Sequence, residues 1–511
     1  PSDLRERIEG RLARLEAIER EAASHEAPVL RQPWYCAGCP HNASTKVPEG
    51  SRAMAGIGCH YMVQWMDRNT ETFTQMGGEG VPWTAISRFT AERHRFVNLG
   101  DGTFYHSGLL AIRQAVAAGT TITYRLLYND AVAMTGGQAV DGPLDPAQVA
   151  RMLAAEGVRT IRVVAEDPAA VTGPLPEGVR VEPREALDAA QLQLREVPGV
   201  SALLYVQTCA AEKRRRRKRG TLADPDVRVW IDPEICEGCG DCSVQSNCVA
   251  VEPLETEWGR KRRINQSACN KDLSCVKGFC PSFTTLAGAA PRRLAATRPD
   301  ASDLPEPEPP RLEGRAWNVA VTGVGGTGVL TIGAILGMAA HLDGLSPMVL
   351  DMAGLAQKGG AVLSHIRIGR PERPPTEPRI VTGGADVLLA ADAVVAASKE
   401  ALVLCDPART VGVVNTHLAP VAAFVLDRDL DFRQADTRAL IEGRLSRASR
   451  FADFAAAGLA VAGDEIAANV LMLGFAWQAG LLPVTRDSVE AAIRLNGVAV
   501  QANLDAFAWG R

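Results

Sequence analysis

Residues 97–116 read VNLGDGTFYHSGLLAIRQAV, an apolar strand that ends in Gly100-Asp101-Gly102 and runs directly into a helix. The tripeptide alone is ordinary turn chemistry, because glycine tolerates positive φ and aspartate bonds its own backbone. The next apolar strand ends at Asn129. Consecutive parallel strands would bring Asp101 and Asn129 to one carboxyl edge of a sheet, where open α/β sheets bind ligands. Their oxygens suit Mg²⁺, and the glycines and the helix N-terminus suit a diphosphate.

Composition narrows the class of protein. The 511-residue chain is 46% hydrophobic and 22% charged with a net charge of −4, which fits several globular domains and favours neither nucleic acid nor a membrane surface as partner. Apolar runs near 325–340 and 385–405 are too short or too polar to span a bilayer. No signal peptide is visible, which predicts a cytoplasmic protein. The 12 cysteines are then expected to bind metal and not to form disulfides.

The pattern along the chain predicts a multi-domain α/β protein. Apolar strands alternate with helical stretches from about residue 32 to 208, which is typical of a largely parallel sheet. A second α/β domain opens with WNVAVTG at 317–323. The predicted segments are a solvated helical connector at 1–29, an α/β domain at 30–212, a basic linker at 213–225, a small cysteine-dense α+β domain at 226–287, a Pro-rich linker at 288–313 and a Rossmann-like α/β domain at 314–511.

The motifs resemble those of a known enzyme family. Gly-Asp-Gly followed by Asn129 resembles the thiamine diphosphate motif, and NDAVAMTGGQ at 129–138 continues as in ketoacid:ferredoxin oxidoreductases. WYCAGCPHNASTKVPEGSRAMAGIGCHYMVQWMDR at 34–68 and TQMGGEGVPW at 74–83 are similar to the large bacterial indolepyruvate ferredoxin oxidoreductases. Those enzymes oxidatively decarboxylate aryl-pyruvates to aryl-acetyl-CoA. The resemblance covers nearly the whole chain, including CAAEKRRRRKRG at 209–220 and NGVAVQANLDAFAWGR at 496–511.

This resemblance implies a cofactor site at the sheet edge. Asp101 and Asn129 would be side-chain ligands of Mg²⁺, and Ala131 would offer its carbonyl. The residues implied to contact thiamine diphosphate are Gly58, Cys59, Gly100, Asp101, Gly102, Thr103, Asn129, Ala131 and Thr135. The glutamate that activates the thiamine is expected from a pyrimidine-binding domain upstream or on a separate subunit, because nothing before Gln32 is long enough to supply it. The isolated chain is therefore expected to bind cofactor weakly.

The early cysteines match a cluster that this family carries beside its thiamine site. The implied ligands of this proximal [4Fe–4S] cluster are Cys36, Cys39, Cys59 and Cys209. Four thiolates suit zinc as well as iron–sulfur, so spacing alone does not distinguish the two. The thiamine context favours iron–sulfur.

The cysteine-dense segment resembles a two-cluster ferredoxin. It contains CEGCGDCSVQSNC at 236–248 and CNKDLSCVKGFCP at 269–281. In such ferredoxins the Cys-Pro cysteine ligates the other cluster. One predicted [4Fe–4S] cluster is therefore held by Cys236, Cys239, Cys242 and Cys280. The remaining cysteines, Cys248, Cys269 and Cys275, are one thiolate short of another cluster. A non-cysteine ligand, fewer irons or no cluster remain open, and a zinc ribbon is the alternative for the whole segment.

A second glycine-rich loop opens the C-terminal domain. VAVTGVGGTGVLTIGAILG at 319–337 contains Gly323-x-Gly325-x-x-Gly328, and Asp351 ends the next predicted strand, which together read as a dinucleotide fingerprint. The resemblance instead places this segment with the gamma domain of ketoacid:ferredoxin oxidoreductases, which is not known to bind a dinucleotide. The loop would then contact the diphosphate of CoA or simply pack a helix tightly against the sheet. Lys358 would meet a CoA phosphate or be solvated.

The basic run Lys213–Arg219 and the isolated Cys405 lie outside these motifs. The basic run Lys213–Arg219 could indicate RNA binding or a localisation signal, but it has no interleaved aromatic residues. We expect an interdomain clamp or a docking patch for an acidic electron carrier, with a solvated face as the alternative. Cys405, inside ALVLCDP, is expected to be an inert buried thiol.

The combined expectation is oxidative decarboxylation of an aryl 2-oxoacid to its acyl-CoA, with electrons passing through iron–sulfur clusters to ferredoxin. The expected partners are ferredoxin, CoA, the 2-oxoacid, the pyrimidine-binding domain and a second copy of the chain. Branched-chain and other 2-oxoacids remain open as substrates. The alternatives are a non-redox thiamine-dependent decarboxylase and a non-catalytic electron-transfer module.

Overall fold

The computed structural model describes residues 2–140, 142, 144–290, 304–312, 314–352 and 359–511. The chain divides into two compact units, one formed by residues 34–289 and the other by 1–33 together with 290–511. It begins with helix α1 (Ser2–Ser24), which belongs to the second of these units. Most of the predicted Pro-rich linker and Lys358 lie outside the described residues.

The first unit is built on a seven-stranded parallel sheet with strand order β2-β1-β3-β4-β7-β5-β6. Its strands are β1 (Ala53–Met54), β2 (Thr70–Glu71), β3 (Arg95–Gly100), β4 (Ile122–Tyr128), β5 (Thr160–Ala165), β6 (Val181–Pro183) and β7 (Val200–Val206). Its helices are α2 (His41–Ser44), α3 (Val81–Ile86), α4 (Asp101–Thr103), α5 (Leu109–Ala117), α6 (Pro146–Ala155), α7 (Leu187–Leu194) and α8 (Ala210–Lys218). A π-helical turn, Phe104–Gly108, joins α4 to α5.

The two faces of this sheet differ in chemistry. Because side chains alternate along a strand, Val97 and Leu99 lie on one face and Asn98 on the other. Val97 and Leu99 pack with residues of α5 and α6 in an apolar core. The opposite face combines a smaller apolar cluster beneath α7 with polar side chains, of which Asn98 and Arg125 are fully buried. The apolar alternation thus produces the predicted α/β core, and the polar face remains to be explained.

The cysteine-dense segment belongs to the same unit and forms a small α+β layer of two antiparallel strand pairs, β9 with β10 and β8 with β11. Its elements are β8 (Val227–Ile231), α9 (Asp241–Ser246), β9 (Val251–Thr256), β10 (Gly259–Ile264) and β11 (Phe283–Ala287). Its interior is formed by cysteines as much as by aliphatic side chains, since Cys236 and Cys242 lie in the core with Val229 and Ile231.

The second unit carries a six-stranded mixed sheet with strand order β13-β14-β12-β15-β16-β17. Its strands are β12 (Trp317–Val324), β13 (Ser346–Met352), β14 (Ala361–Gly369), β15 (Val387–Ala390), β16 (Val411–Asn415) and β17 (Arg450–Ala452). Its helices besides α1 are α10 (Val329–Leu342), α11 (Ala393–Ala396), α12 (Lys399–Leu402), α13 (Ala422–Leu426), α14 (Gln434–Glu442), α15 (Phe454–Ala462), α16 (Ala468–Gln478), α17 (Arg486–Asn496) and α18 (Val500–Gly510). Both units are α/β, as predicted.

Helix α1 packs on its own unit, whereas the sequence suggested a solvated connector. Ile18 and Ala22 are buried. Arg14 bonds Asp406 at 2.6 Å, and Glu21 accepts from Arg444 at 2.5 Å. The other side chains of this charged helix are mostly exposed, which explains why its composition reads as solvated.

Among the described helices, none alone has the length and hydropathy to cross a membrane, although one pair bent by 119°, Phe454–Ala462 with Glu465–Gln478, passes that test by length and composition.

The buried carboxylate of Asp386 connects strand β12 to the segments around β15 through hydrogen bonds. The Asp386 side chain is 2% exposed and accepts from Arg315 at 2.8 Å, from Arg409 at 2.8 Å and from the backbone N–H of Asn318 at 2.9 Å. These donors hold the pKa of Asp386 below its usual range although burial alone would raise it. Because the pKa is depressed in the folded state, this stabilisation is present above the ordinary pKa of an aspartate and is lost as the pH falls.

We expect Asp386→Asn to destabilise this unit by about 3 kcal/mol, since it breaks a buried ion-pair network. The free energy of unfolding of the variant should also depend less on pH below about pH 4 than that of the wild type. Hydrogen exchange of β12 and β15 against denaturant measures the effect. Asp487→Asn, at an exposed ion pair, is the control. Equal exchange rates in Asp386→Asn and Asp487→Asn would contradict the stabilising role of Asp386.

Candidate functional site

The carboxyl edge of the first sheet brings together the two residues that the sequence predicts as magnesium ligands. Strands β3 and β4 are parallel neighbours, so Asp101 and Asn129 follow adjacent strand ends. The Asp101 carboxylate accepts from the backbone N–H groups of Asn129 at 2.8 Å, Asp130 at 3.0 Å and Gly102 at 2.8 Å. Burial raises the pKa of Asp101 to about 6 in spite of these bonds. A positive partner close to this carboxylate would favour its charged form further.

An orphaned oxygen lies beside this carboxylate. Oδ1 of Asn129 is buried and has no hydrogen-bond partner. Buried polar atoms of folded proteins are nearly always paired, so an acceptor in this position indicates a missing donor or cation. The residues present therefore fit Mg²⁺, which prefers carboxylate and carbonyl oxygens. A Cβ at Gly102 would meet no atom within 4 Å, which leaves the open space a diphosphate would need.

The turn that precedes Cys59 lies against the start of helix α4. Thr103 donates its hydroxyl to the carbonyl of Ile57 at 3.4 Å. Gly58 has φ 155°, and a Cβ there would come within 2.6 Å of the His60 ring; a Cβ at Gly100 would come within 3.4 Å of the same ring. The structure thus places the predicted cofactor residues Gly58 and Gly100 against the His60 ring and Thr103 against Ile57, in one layer.

The remaining predicted cofactor residues belong to the loop after β4. Asp130 has φ 60°, and Ala131 is buried. The loop closes on itself through hydrogen bonds of 2.9 Å, from Val132 N–H to the Gln138 carbonyl and from Gly137 N–H to the Val132 carbonyl. Thr135 donates to the side chain of Gln138 at 2.7 Å. In this structure Thr135 is therefore a residue that shapes the loop.

Sequence reasoning did not single out two buried residues of this layer. Glu79 is 1% exposed and accepts from the backbone N–H of Gly77 at 2.7 Å and of Ile57 at 3.4 Å; burial raises its pKa. Nε2 of His60 has no partner, and burial lowers the pKa of this ring to about 3. A glutamate between glycines in TQMGGEG was the available signal for Glu79. No pattern marked His60.

The backbone of Cys209 is hydrogen-bonded to the backbone of Asn129, a predicted magnesium ligand. Its backbone N–H donates to the carbonyl of Asn129 at 2.9 Å, and the side chain is buried. Cys36 and Cys39 form a tight turn in which Cys39 N–H donates to the Cys36 carbonyl at 3.0 Å. The thiols of Cys39 and Cys59 both act electrostatically on buried Tyr35. None of the 12 cysteines forms a disulfide, as expected.

In the cysteine-dense segment five of the seven cysteines gather at one small core. Cys236 and Cys242 are buried near exposed Cys239, and Cys248, Cys269 and Cys275 pack against the same core. Burial, with a smaller contribution from neighbouring thiols, raises the pKa of Cys248 to about 11 and that of Cys275 to about 12. Among the residues the structure describes, no three His, Cys, Asp or Glu side chains are arranged to hold a metal ion. The ligand sets stay predictions.

The Cys36–Cys39 turn lies against the group of Cys248. The backbone N–H of Gly38, inside that turn, is close enough to the Cys248 thiol to lower its pKa against the effect of burial. Gly38 has φ 66°, and a Cβ there would come within 2.9 Å of Asp272 and 3.2 Å of Asn270. This contact joins residues far apart in the sequence, so spacing could not reveal it.

Residues 213–218 of the predicted basic linker lie in helix α8, whose arginine side chains bind neighbouring segments. Arg216 bonds the Asp130 carboxylate at 2.6 Å, and Arg215 donates to the Gly136 carbonyl, so both hold the loop after β4. On the other side Arg217 donates to the Asn270 carbonyl at 2.9 Å, beside Cys269. Of the expected interpretations, the interdomain clamp agrees with these contacts.

We expect the double variant Arg215→Ala/Arg216→Ala to loosen the loop after β4 without unfolding the sheet. Two partly exposed contacts of this kind contribute about 1.4 kcal/mol together, so exchange of the Val132 and Gly137 amides should accelerate about tenfold. Hydrogen–deuterium exchange mass spectrometry measures this. Arg219→Ala, in the exposed last turn of the same basic run, is the control. Unchanged exchange in the double variant would show that the clamp does not hold the loop.

The glycine-rich loop of the second unit does not have the surroundings of a dinucleotide site. Strand β14 runs antiparallel between β12 and β13, so Asp351 is one strand away from the loop. Its carboxylate accepts from Ser364 at 2.5 Å and lies near Gly333 in the middle of α10. A Cβ at Gly323 would collide with Val329 of α10. These contacts support the expectation that the loop packs a helix tightly on the sheet.

Comparison with known proteins agrees with this architecture. Residues 56–196 match the family "Thiamine pyrophosphate enzyme, C-terminal TPP binding domain", and residues 318–511 match "Pyruvate ferredoxin/flavodoxin oxidoreductase". Subunit IorB of indolepyruvate oxidoreductase from Pyrococcus horikoshii is 30% identical over 201 residues, covering 38% of this chain and 95% of the relative. Subunit IorA from Thermococcus kodakarensis is 28% identical over 274 residues, covering 49% of this chain and 40% of the relative.

Two solved structures are similar to parts of the chain. The gamma subunit of a keto/oxoacid ferredoxin oxidoreductase from Geobacter sulfurreducens shares 22% identity at a TM-score of 0.27, covering 38% of this chain and 95% of that one. The second is a 2-oxoglutarate:ferredoxin oxidoreductase from Magnetococcus marinus with 2-oxoglutarate, coenzyme A and succinyl-CoA bound. It shares 18% sequence identity at a TM-score of 0.27, and the match covers 37% of this chain and 68% of that one.

The two matched families define the class of protein, in which a thiamine diphosphate-binding domain and an oxidoreductase domain stand on one polypeptide. With nearly the full length of an IorB relative matched at 30% identity, the chain belongs to the 2-oxoacid:ferredoxin oxidoreductase family. It spans about 40% of the length of the IorA relative.

Proposed function

We propose that this chain is the part of an indolepyruvate-type 2-oxoacid:ferredoxin oxidoreductase that binds thiamine diphosphate, Mg²⁺ and iron–sulfur clusters. The observation that carries the proposal is the hydrogen bond from Cys209 N–H to the carbonyl of Asn129. It joins a predicted cluster ligand to a predicted magnesium ligand. The names of the relatives support indolepyruvate, an aryl 2-oxoacid, as substrate. The matched family supports ferredoxin as electron acceptor, and CoA is proposed as the acyl acceptor.

In the proposed site Asp101, Asn129 and the carbonyl of Ala131 would hold Mg²⁺. Thiamine diphosphate, when bound, supplies the stabilisation of negative charge at the former carbonyl carbon that decarboxylation requires. The chain's own contribution is to fix the loop after β4 through Asp101 and α8 and to exclude water from the buried layer around His60. The pyrimidine-binding domain is proposed as a partner that supplies the activating glutamate.

In this proposal the predicted cluster ligands form a series through the unit. The proposed cluster on Cys36, Cys39, Cys59 and Cys209 would lie nearest the thiamine site, because Cys209 N–H bonds the Asn129 carbonyl. The next would be the cluster of Cys248, Cys269 and Cys275, since Gly38 of the Cys36–Cys39 turn acts on the Cys248 thiol. The group of Cys236, Cys239, Cys242 and Cys280 ends at the surface, where Cys239 is exposed. Clusters held there would suit one-electron transfer. Overall, the 2-oxoacid and CoA yield the acyl-CoA, carbon dioxide and a proton, and two electrons pass singly to two ferredoxins.

The test is to purify the 511-residue chain without oxygen and to measure its iron content and its Mg²⁺-dependent affinity for thiamine diphosphate. The proposal expects cluster iron together with an affinity that Asp101→Asn weakens. Cofactor binding without cluster iron would favour a non-redox decarboxylase. Cluster iron without Asp101-dependent binding would favour an electron-transfer module. Either result contradicts the proposal.

A further inference from the structure

The second unit contains a cavity between helix α14 and strand β17, the last strand of its sheet. The cavity has an outer groove of about 400 Å³ and an inner cleft of about 40 Å³. Arg438 of α14 and Phe451 of β17 line both parts, so the groove and the cleft adjoin each other. A cavity of this size holds a small organic ligand, up to about the size of a mononucleotide.

The inner cleft lies at the carboxyl end of two parallel strands, β15 and β16. Asn415 and Thr416, at the end of β16, line the cleft together with Ala393, which follows β15. Open α/β sheets bind their ligands outside the carboxyl ends of parallel strands. The cleft therefore occupies the usual place of a ligand in this kind of fold.

The far wall of the cleft is held by the N-terminal segment of the chain. The Arg31 side chain is 4% exposed and bonds the Asp392 carboxylate at 2.6 Å. It also donates to the Pro420 carbonyl at 2.8 Å. Asp392 precedes Ala393, and Pro420 follows Leu418, and Ala393 and Leu418 both line the cleft. These buried contacts fix the wall in place, as expected for a pre-formed site.

A polar atom on the near wall has no partner. Thr437 of α14 lines the cleft and is 2% exposed, and its Oγ1 has no hydrogen-bond partner within the part of the chain that the structure describes. Buried hydroxyls are nearly always paired, and a threonine inside a helix can bond the carbonyl one turn back. The cleft has room for one hydroxyl-sized group beside this atom. Thr437 therefore indicates a small polar group that enters the cleft.

The outer groove is basic. Three arginines line it, Arg438, Arg447 and Arg450, against the single carboxylate of Glu442. Glu442 accepts from Nε of Arg438 at 2.7 Å, so the Nη groups of that arginine stay directed to other partners. Among the described residues Arg447 has no hydrogen-bond or ion-pair partner. The Arg438 guanidinium lies 4.9 Å from the centre of the Phe451 ring, which holds it where the groove meets the cleft.

The charge of the groove favours a phosphate over a carboxylate. The arginines exceed the carboxylate by two charges. A phosphate monoester carries about −1.5 to −2 at pH 7, whereas a carboxylate carries one negative charge. Guanidinium groups also bind phosphate oxygens through paired donors.

We propose that the second unit binds a phosphate ester of a sugar in this cavity, with the phosphate on the arginines of the outer groove and a hydroxyl on Thr437 in the cleft. Sugar phosphates and nucleoside monophosphates share this chemistry. The site is distinct from the Gly323 loop, because β15 separates β16 from β12. It goes beyond the proposed function and does not depend on it, since it needs neither thiamine diphosphate nor iron.

The test is isothermal titration calorimetry of the 511-residue chain at about pH 8, where phosphate esters are dianions. Ribose 5-phosphate and AMP should bind, and inorganic phosphate and adenosine should each bind about tenfold more weakly or less. Arg438→Gln should weaken the binding of ribose 5-phosphate about tenfold or more. The matched control is Arg494→Gln, which removes an equally exposed arginine from a similar ion pair with Glu490 outside the cavity and should bind as the wild type does.

Thr437→Val separates a ligand site from a packing role. Valine has the same shape without the hydroxyl, so the free variant should unfold at the same or a higher temperature while its affinity for ribose 5-phosphate falls about tenfold. Tighter binding of AMP than of ribose 5-phosphate assigns the site to nucleotides, and the reverse order or equal affinity assigns it to sugar phosphates; either supports the inference.

Four results would overturn the inference. The first is that neither probe binds at millimolar concentration. The second is that Arg438→Gln or Thr437→Val keeps the wild-type affinity, and the third is that Arg494→Gln loses as much affinity as Arg438→Gln. The fourth is that inorganic phosphate binds as tightly as ribose 5-phosphate, which would reduce the cavity to an unspecific basic surface.

Discussion

Asp101→Asn is expected to weaken Mg²⁺-dependent binding of thiamine diphosphate by about 100-fold or more, since it removes the only predicted charged ligand of the metal. The asparagine oxygen can still accept from the N–H groups of Asn129 and Asp130, so the loop keeps its anchor. Isothermal titration calorimetry with and without Mg²⁺ measures the change.

The backbone contacts of Asp101 make asparagine a better replacement than alanine. At a strand end Asp101→Ala is expected from the sequence to leave the fold intact, but the carboxylate accepts three backbone N–H groups. Alanine would leave those donors without their acceptor, at about 1–3 kcal/mol for the buried N–H of Asn129 and less for the partly buried N–H groups of Asp130 and Gly102. Asp145→Asn, at the N-cap of α6, is the matched control. Equal affinity in wild type and Asp101→Asn would show that Asp101 does not bind the metal.

Cys209→Ser should lower the iron content by about four atoms per chain, the content of one [4Fe–4S] cluster. The residue is separated from the other three predicted ligands by a long stretch of sequence, and only the folded sheet brings β4 and β7 side by side to place it next to Asn129. Iron analysis and EPR of protein prepared without oxygen measure the loss.

The matched control is Cys405→Ala, which removes another buried thiol, in the other unit. Cys405 donates to the carbonyl of Ala401 at 3.5 Å, and burial raises its pKa to about 12, as expected for an inert thiol. Its iron content should match wild type. Iron and EPR signals that are the same in Cys209→Ser and wild type would remove Cys209 from the ligand set.

Several features of the site could be predicted because they depend on local order along the chain. A strand that ends in Gly-Asp-Gly and a next strand that ends at Asn129 can meet only where parallel strands end together. The alternation of apolar segments likewise predicts two α/β units, and both are present. The basic run is different: its charges could be counted, but only the fold shows that Arg216 reaches Asp130 and Arg217 reaches Asn270.

The sequence by itself determined the strand ends, the cysteine spacings and the residue types that suit Mg²⁺ and clusters, because these follow from neighbouring positions. Tertiary structure alone decided that β14 separates Asp351 from the Gly323 loop and that the Gly38 turn lies on Cys248. It also decided that Arg125 is buried without a carboxylate. The physical reason is that a contact between distant segments and the desolvation of a charge depend on what packs around a residue, and that information is spread over the whole chain.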